Sequence, residues 1–413
     1  MRLLLIGGGS GQQPRLRRLA EGVSTVVLCR AAVLDWVHQL HENDAVVVLN
    51  DDSPLERWLA AAHFLHQQWP LDGIAALAEI DQDKAAAIAE ELELAYHSPE
   101  TVRAVNDKTV MRERLNAAGV EHMPFRQVSS ITELEAFQRE VGGPLLLKPS
   151  RGRASTGIAV AHDAGELAAA LEVAMGASAP RLEPSPPIAE RYVAGPEFSI
   201  EAITHRGVHY VFAVTEKFKD DGSKVETGHV VPARIPQSTS DQLVAHVRAC
   251  LDALGVERGI THSEVILGSD GPVLVETHLR QAGDSIVQLT ESATGVNLTD
   301  LVLRQLLGVD LAALPEVASR TDGPHYLASG AIRYLTPELT GRLAGIDGLA
   351  QARAIEGVIH VDQLVSDGAE LNGLQSSYSR LASARVEAKD ADDAVRLAEE
   401  ALNRLSARAV ASS

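Results

Sequence analysis

Through the first fifty positions the apolar residues come in short, closed runs. Leu3–Ile6, Thr25–Cys29 and Ala45–Leu49 each have the length and bounding residues of a buried strand. Gly7–Gly11 is the turn after the first of them, and Arg15–Ala20 is patterned as a helix. Strand, glycine turn, helix, strand predicts a doubly wound α/β unit at the N-terminus. From Ser98 the pattern changes. Ser98-Pro99-Glu100 has the form of a helix N-cap, and the helix it predicts runs through Asp107-Lys108 to about Ala118. Leu145–Pro149 is a short strand stopped by proline, Ser150–Gly157 a glycine- and serine-bearing loop, and Ile158–Val160 the returning strand. Gly176–Pro187 reads as a surface connection. Strands are then predicted at Ile188–Val193, Glu197–Thr204, Val208–Thr215, Thr261–Leu267 and Pro272–His278, and helices at Asp241–Leu254 and Leu298–Leu307. Past Pro324 a mixed segment leads to an amphipathic helix, Ala391–Ser406. There is no internal repeat, and the pattern divides into residues 1–97, 98–194, 195–324 and 325–413.

Composition narrows the classes. The 413 residues are 45% apolar and carry a formal charge of −19, so a nucleic-acid surface built on overall basicity is excluded. Any polyanion must be met by a few local Lys and Arg. Two cysteines, Cys29 and Cys250, make neither a disulfide framework nor a four-cysteine zinc site. No apolar run approaches the ~18–20 residues of a membrane span, and the N-terminal apolar run is too short for a signal-peptide core. The expectation is a cytoplasmic protein without nucleic-acid or membrane partners. Gly7-x-Gly9 nearly matches a dinucleotide fingerprint, but Cys29-Arg30 stands where an acidic ribose reader belongs, so the glycines are read as serving a tight turn.

Two places carry candidate chemistry. Lys148 ends a strand ahead of a loop rich in Gly, Ser and Thr. Backbone N–H groups and hydroxyls of such a loop can close over phosphate oxygens while the lysine supplies a point charge. Further on, Glu264 and Glu276 lie on two strands joined by the Ser269-Asp270-Gly271 turn. A tight hairpin brings them side by side, and two close carboxylates are costly to bury without cations. Glu276, His278 and Arg280 alternate along their strand and so project to one face. Two carboxylates for oxygen-preferring Mg²⁺, with an arginine for an anion, suit a metal–phosphate site.

These pieces, in this order, resemble the ATP-grasp superfamily of carboxylate–amine ligases: Lys108, Lys148 and its loop, the run Ile188-Ala-Glu-Arg-Tyr-Val193 with Glu197, Glu264, and Glu276-Thr-His-Leu-Arg280. The resemblance implies an α/β chain with the ATP-grasp fold, an N-terminal doubly wound α/β domain and a C-terminal lobe. It also implies that Lys108 and Lys148 contact the ATP phosphates and that the loop, through Ser155, Thr156 and Gly157, covers them. By the same resemblance Glu190, Arg191, Tyr192 and Val193 line the adenine pocket, Glu197 accepts from the ribose hydroxyls, and Glu264 and Glu276 ligate two Mg²⁺ ions, with Mn²⁺ as an alternative. The family's third ligand position holds His278 here, and imidazole is a poor partner for Mg²⁺, so His278 is expected to bond a phosphate oxygen instead. The stretch from Thr215-Glu216-Lys217 through Glu226-Thr-Gly-His229 to Pro232, followed by Arg280-x-x-Gly283-Asp284, resembles the bacilysin-type L-amino acid ligases and their carnosine-synthase-like relatives. In that branch Glu226, His229, Arg280 and Asp284 would hold the amino acid, and Arg280 and an N–H near Gly283 would steady the oxyanion. The implied activity joins an amino acid or other carboxylate to an amine through an acyl phosphate, giving ADP and phosphate, in a homodimer acting on small molecules. The alternatives are a carboxylase-like or purine-pathway enzyme of the same superfamily, and a non-catalytic nucleotide-binding protein.

Overall fold

The computed structural model describes residues 1–152, 156–176 and 185–410. At the N-terminus four parallel strands lie in the order Ala45–Leu49, Ser24–Arg30, Arg2–Ile6, Gly73–Ala75. Their central members are buried on both faces, as near-continuous apolar runs require. Helices Leu55–Gln68 and Gln82–Glu91, absent from the expectations above, cover one face.

A small antiparallel sheet follows, in the order Phe125–Gln127, Pro187–Arg191, Leu145–Pro149, Ala159–Ala161. Ahead of it, the expected long helix divides into Pro99–Asn106 and Lys108–Ala117. Asp107 between them is extended (φ −122°, ψ 109°), and its carboxylate caps the second helix at the Thr109 N–H. The Lys108 N–H donates to the Ser150 carbonyl at 2.9 Å instead of continuing the first helix. That break anchors Lys108 to the loop after Lys148.

The rest of the chain is organised by an eight-stranded sheet. Its order is Gly271–His278, Arg258–Gly268, Glu197–His205, Val208–Lys219, Glu226–Val231, Ser329–Leu335, Ala382–Ala388, Val358–Gln363, all neighbours antiparallel. The boundary expected at 324/325 therefore falls within one continuous sheet. The acidic stretch Glu226–Val231, for which the sequence pattern predicts no element, is a strand, because Ser329–Leu335 supplies its second partner. Gly228 permits that approach: a Cβ there would meet the Ile332 carbonyl oxygen at 2.6 Å. The last helix ends at Leu402, and Ser406–Val410 pairs with Thr340–Asp347 in a three-stranded sheet completed by Glu370–Asn372. One apolar cluster joins Leu3, Leu5 and Val27 of the N-terminal sheet to Phe212 of the large sheet through Leu298 and Leu301, docking the first unit on the second.

Candidate functional site

Six of the residues singled out in the sequence line one cleft: Lys108, Lys148, Thr156, Glu197, Glu264 and Glu276. The small sheet delivers Lys148 from one side and the large sheet delivers the carboxylates from the other. Lys108 Nζ lies 2.8 Å from Glu276. Burial opposes its charge, but Glu276 outweighs this and raises its pKa. Lys148 Nζ lies 2.9 Å from Glu190. There burial wins, and the neighbouring Arg112 and Lys108 add to it, so the Lys148 pKa is lowered.

Glu190 is buried and held ionised, its pKa lowered to about 2: burial pushes the other way, and Arg112 and Lys148 override it. Arg112 bonds Glu190 at 2.8 Å and Glu121 at 2.8 Å. Glu121 in turn accepts from the Leu274 N–H at 2.6 Å and meets His246 at 2.9 Å. An ionic chain thus runs from the cleft lysine, through the helix Lys108–Ala117, to the backbone of the Gly271–His278 strand. The residues after Glu190 turn outward: Arg191 reaches Asp270 at 3.4 Å, the Tyr192 ring meets His162 edge-on, and Val193 packs against Gly268. Ser155 lies outside the described residues, and Gly157 takes a left-handed φ of 77° that a side chain would disfavour.

The hairpin places Glu264 and Glu276 directly opposite one another, and His262 opposite His278 two residues along. The two imidazoles stack with centroids 6.0 Å apart. His262 lies 2.8 Å from Glu201 and 3.3 Å from Glu264. Against burial, those two carboxylates lift its pKa to about 9. His278 faces Glu276 at 3.2 Å and Glu79 at 3.7 Å, and Glu79 also bonds Arg280 at 3.2 Å. Burial alone would favour neutral carboxyls. Lys217 and His262 nonetheless hold Glu264 well below the carboxylate range, and Lys108 and His278 do the same for Glu276. Two opposed, ionised, all-oxygen carboxylates at the mouth of a lysine-lined cleft fit a hard divalent cation.

Lys217 is the residue that sequence reasoning passed over. Its ammonium is buried and reaches Glu197 at 2.7 Å, Glu264 at 2.8 Å and Glu226 at 3.3 Å. Oxygens of these three glutamates lie within 4.8 Å of one another, so Lys217 occupies the position that a cation would take among them. Lys219, two residues on and therefore on the same face, ion-pairs with Glu197. The available signal was that alternation, Lys217 and Lys219 at the end of an apolar strand.

The expected amino-acid side of the site forms a second cluster joined to the first through Glu226. The Glu226 carboxylate accepts from Ser377 Oγ at 3.3 Å. His229, buried, faces Asp284 at 3.3 Å, and Arg380 grips Asp284 with two bonds of 2.7 Å while stacking on Tyr334. Burial resists ionisation of Asp284, but His229 and Arg380 keep its pKa far below the usual value. Arg380, Ser377 and Tyr334 come from the C-terminal part of the chain, and no local motif announces them. Asp284 and Ser285 both have positive φ (52° and 63°), ahead of the helix Ile286–Thr294.

Comparison with known proteins places these features. Residues 141–288 match the family model of the ATP-grasp domain, and residues 333–410 match that of the L-amino acid ligase C-terminal domain 2. The chain is 27% identical over 318 residues to the uncharacterized protein y4rH of Sinorhizobium fredii, covering 77% of this chain and 64% of that protein. It is 23% identical over 355 residues to the alanine–anticapsin ligase of Bacillus subtilis, covering 81% and 72% respectively. The chain thus spans about two thirds of the length of these relatives. The solved structure of an L-amino acid ligase from Bacillus licheniformis superposes with a TM-score of 0.80 at 22% identity, covering 99% of this chain and 98% of the other. The fold is the same from end to end.

Proposed function

From the premise that this chain carries an ATP-grasp domain together with an L-amino acid ligase C-terminal domain, we propose that it is an ATP-dependent ligase. It would join an amino acid, or another carboxylate, to an amine through an acyl phosphate, releasing ADP and phosphate. The observation that carries the reading is the single cleft in which Lys108 and Lys148 face the opposed pair Glu264 and Glu276. Binding adenine alone requires neither carboxylate.

In this reading the substrate carboxylate attacks the γ-phosphorus, and ADP leaves with the electron pair of the broken P–O bond. The amine nitrogen then attacks the acyl carbon, a tetrahedral oxyanion forms, and its collapse expels phosphate. The amine's surplus proton passes to solvent or to the departing phosphate. The chain's contribution is placement and charge rather than covalent chemistry. Lys108 and Lys148 neutralise phosphate oxygens. Arg280, steered by Glu79, and the N–H groups near Gly283 are the anion holders. Glu226, His229 and Asp284 form the polar wall for the amino acid, where an ammonium needs an anion to offset its desolvation. Glu264 and Glu276 would hold Mg²⁺, whose charge lowers the repulsion between the nucleotide and the incoming carboxylate.

The test is a panel of amino acids and carboxylates incubated with ATP and Mg²⁺, scored for ADP and for product mass, with hydroxylamine added to capture the acyl phosphate as a hydroxamate. ADP release coupled to a condensed product supports the proposal. Release with bicarbonate alone supports a carboxylase-like enzyme, and no release with any pair supports a nucleotide-binding protein.

A further inference from the structure

Away from the cleft, a cavity of about 230 Å³ lies between the N-terminal and large sheets. It runs beside the outer edge of the strand Gly73–Ala75, which pairs on one side only, and under the helix Leu298–Leu306. Its walls are mostly apolar, with Ala75, Val302 and Leu303 among them. A volume well above the ~10–15 Å³ that one water needs leaves room for an organic molecule.

Most polar groups of its lining are paired, Asp72 with the Arg2 N–H, Thr299 with Gln281, and Gln305 with the Gly259 N–H and the Thr204 carbonyl, but three neighbours at one end are not. Arg258, half-buried at the start of the strand Arg258–Gly268, makes no ion pair and no side-chain hydrogen bond among the described residues. The only charge acting on it is its neighbour Glu257, and burial lowers its pKa. His97 is nine-tenths buried, and its Nδ1 is unbonded. Burial first, and Arg258 second, lower its pKa to about 4, so it stays neutral. Gly259 makes space for this ring, since a Cβ there would meet His97 Nε2 at 3.2 Å. The Tyr96 hydroxyl, edge-on to His97, is likewise buried and unbonded. Buried polar atoms are nearly always satisfied, and a half-buried guanidinium without a partner gives up part of its hydration for nothing in return. The second arginine of the lining, Arg280, is by contrast already held by Glu79.

We propose that this cavity is a binding site for a small carboxylic acid with an apolar body, its carboxylate paired with Arg258 and hydrogen-bonded by the Nε2 of His97. A carboxylate supplies what Arg258 lacks, and its two oxygens match the guanidinium fork. An ammonium or other cation would add to the unpaired charge. Arg258 and His97 lie outside the metal–phosphate cleft, and the cavity borders the residues of the ligase reading only at Arg280.

The test is ligand-induced thermal stabilisation of the full chain without ATP, using L-leucine, 4-methylpentanoate and L-leucinamide as probes. The two carboxylates are expected to raise the melting temperature and leucinamide is not. Arg258→Leu should keep or raise the melting temperature of the free protein, because it removes an unpaired charge, while weakening both acids at least tenfold; His97→Phe should weaken them less. A fall in the free protein's melting temperature with Arg258→Leu would mean a structural arginine, and His97→Phe then carries the decision. Equal stabilisation by leucinamide, unchanged binding in both variants, or loss of binding with Glu226→Ala instead would overturn the proposal. Turnover separates the two sources of the acid. A co-substrate appears in the product mass and shows a raised KM in Arg258→Leu, whereas an effector changes the rate without appearing in the product.

Discussion

Replacing Lys217 by methionine keeps most of the side-chain volume and deletes one ammonium from among three glutamates. Breaking a buried ion pair from one side costs ~3–5 kcal/mol, because the partner is left charged and dry. Here the side chain is 2% exposed and three partners, Glu197, Glu226 and Glu264, lose their shared cation. The expected loss at pH 7 is therefore at least ~3 kcal/mol, or roughly a hundredfold in the folding equilibrium. The pH dependence follows from the signs. In the wild type Glu264 is depressed far below its unfolded value near 4.3, so its stabilisation is present above that value and lost as pH falls through the folded one. Without Lys217, burial and like charge act on the trio and raise its pKa values. Groups raised in the folded state stabilise at low pH and lose that contribution as pH rises. The variant's trend closes the gap between the two proteins as pH drops from 7 toward 4, and the wild type's loss closes it further below that. Added Mg²⁺ should also stabilise the variant more than the wild type, since it can occupy the vacated position. Urea unfolding at several pH values, with and without Mg²⁺, measures all of this. A variant within about 1 kcal/mol of wild type at pH 7, the median for an exposed pair, or a gap that does not change with pH, would refute the reasoning.

Four further outcomes are expected. Glu276→Gln should reduce turnover by orders of magnitude while leaving circular dichroism unchanged; near-normal ADP release would remove Glu276 from the metal pair. Glu226→Ala should raise the apparent KM for the amino acid steeply and that for ATP little, and the reverse pattern in steady-state kinetics would move Glu226 to the nucleotide side. Arg112→Lys breaks the forked contact to Glu190 that steadies Lys148; the expected result is a higher KM for ATP and a fall in the urea midpoint, and a variant equal to wild type in both would show that the chain does not matter. For His262, raised to about 9, stabilisation is full below the unfolded value near 6.5 and fades as pH rises through 9, so denaturation midpoints of wild type should decline across that window more than those of His262→Asn.

What the sequence made legible is what is local. Period-2 alternation placed Glu264 and Glu276 on adjoining strands with a short turn, but what sets them opposite one another is a register shift between Glu264 and Val265, without which Glu264 would face Val275. The lysine–proline end of Leu145–Pro149 likewise announced the cleft's far wall. Where the reading failed, the deciding partner was distant. Glu226–Val231 looks like a loop because its second strand, Ser329–Leu335, lies about a hundred residues away. The break at Asp107 depends on an acceptor at Ser150. Arg380 and Glu79 approach the site from opposite ends of the chain. The helix Leu55–Gln68 was legible too, since Leu55, Trp58, Leu59, Ala62 and Leu65 recur at helical spacing, but the reading did not use that stripe.

The eight-stranded sheet bears on how this protein could be shortened or rearranged. Cutting the chain after residue 324 would leave Glu226–Val231 as an outer strand, with the peptide groups that now bond Ser329–Leu335 left open along Gly228–Val231. Val230 and Val231 would come out of their present burial. A flat, apolar, unpaired edge recruits strands from other molecules, so the truncated product should aggregate rather than work as a smaller catalyst. The same cut would take away Arg380 and leave Asp284 without its guanidinium. The part after residue 324 is therefore a poor site for swapping modules between relatives, and a permissive junction has to be sought before Glu197, where the sheet has not yet begun.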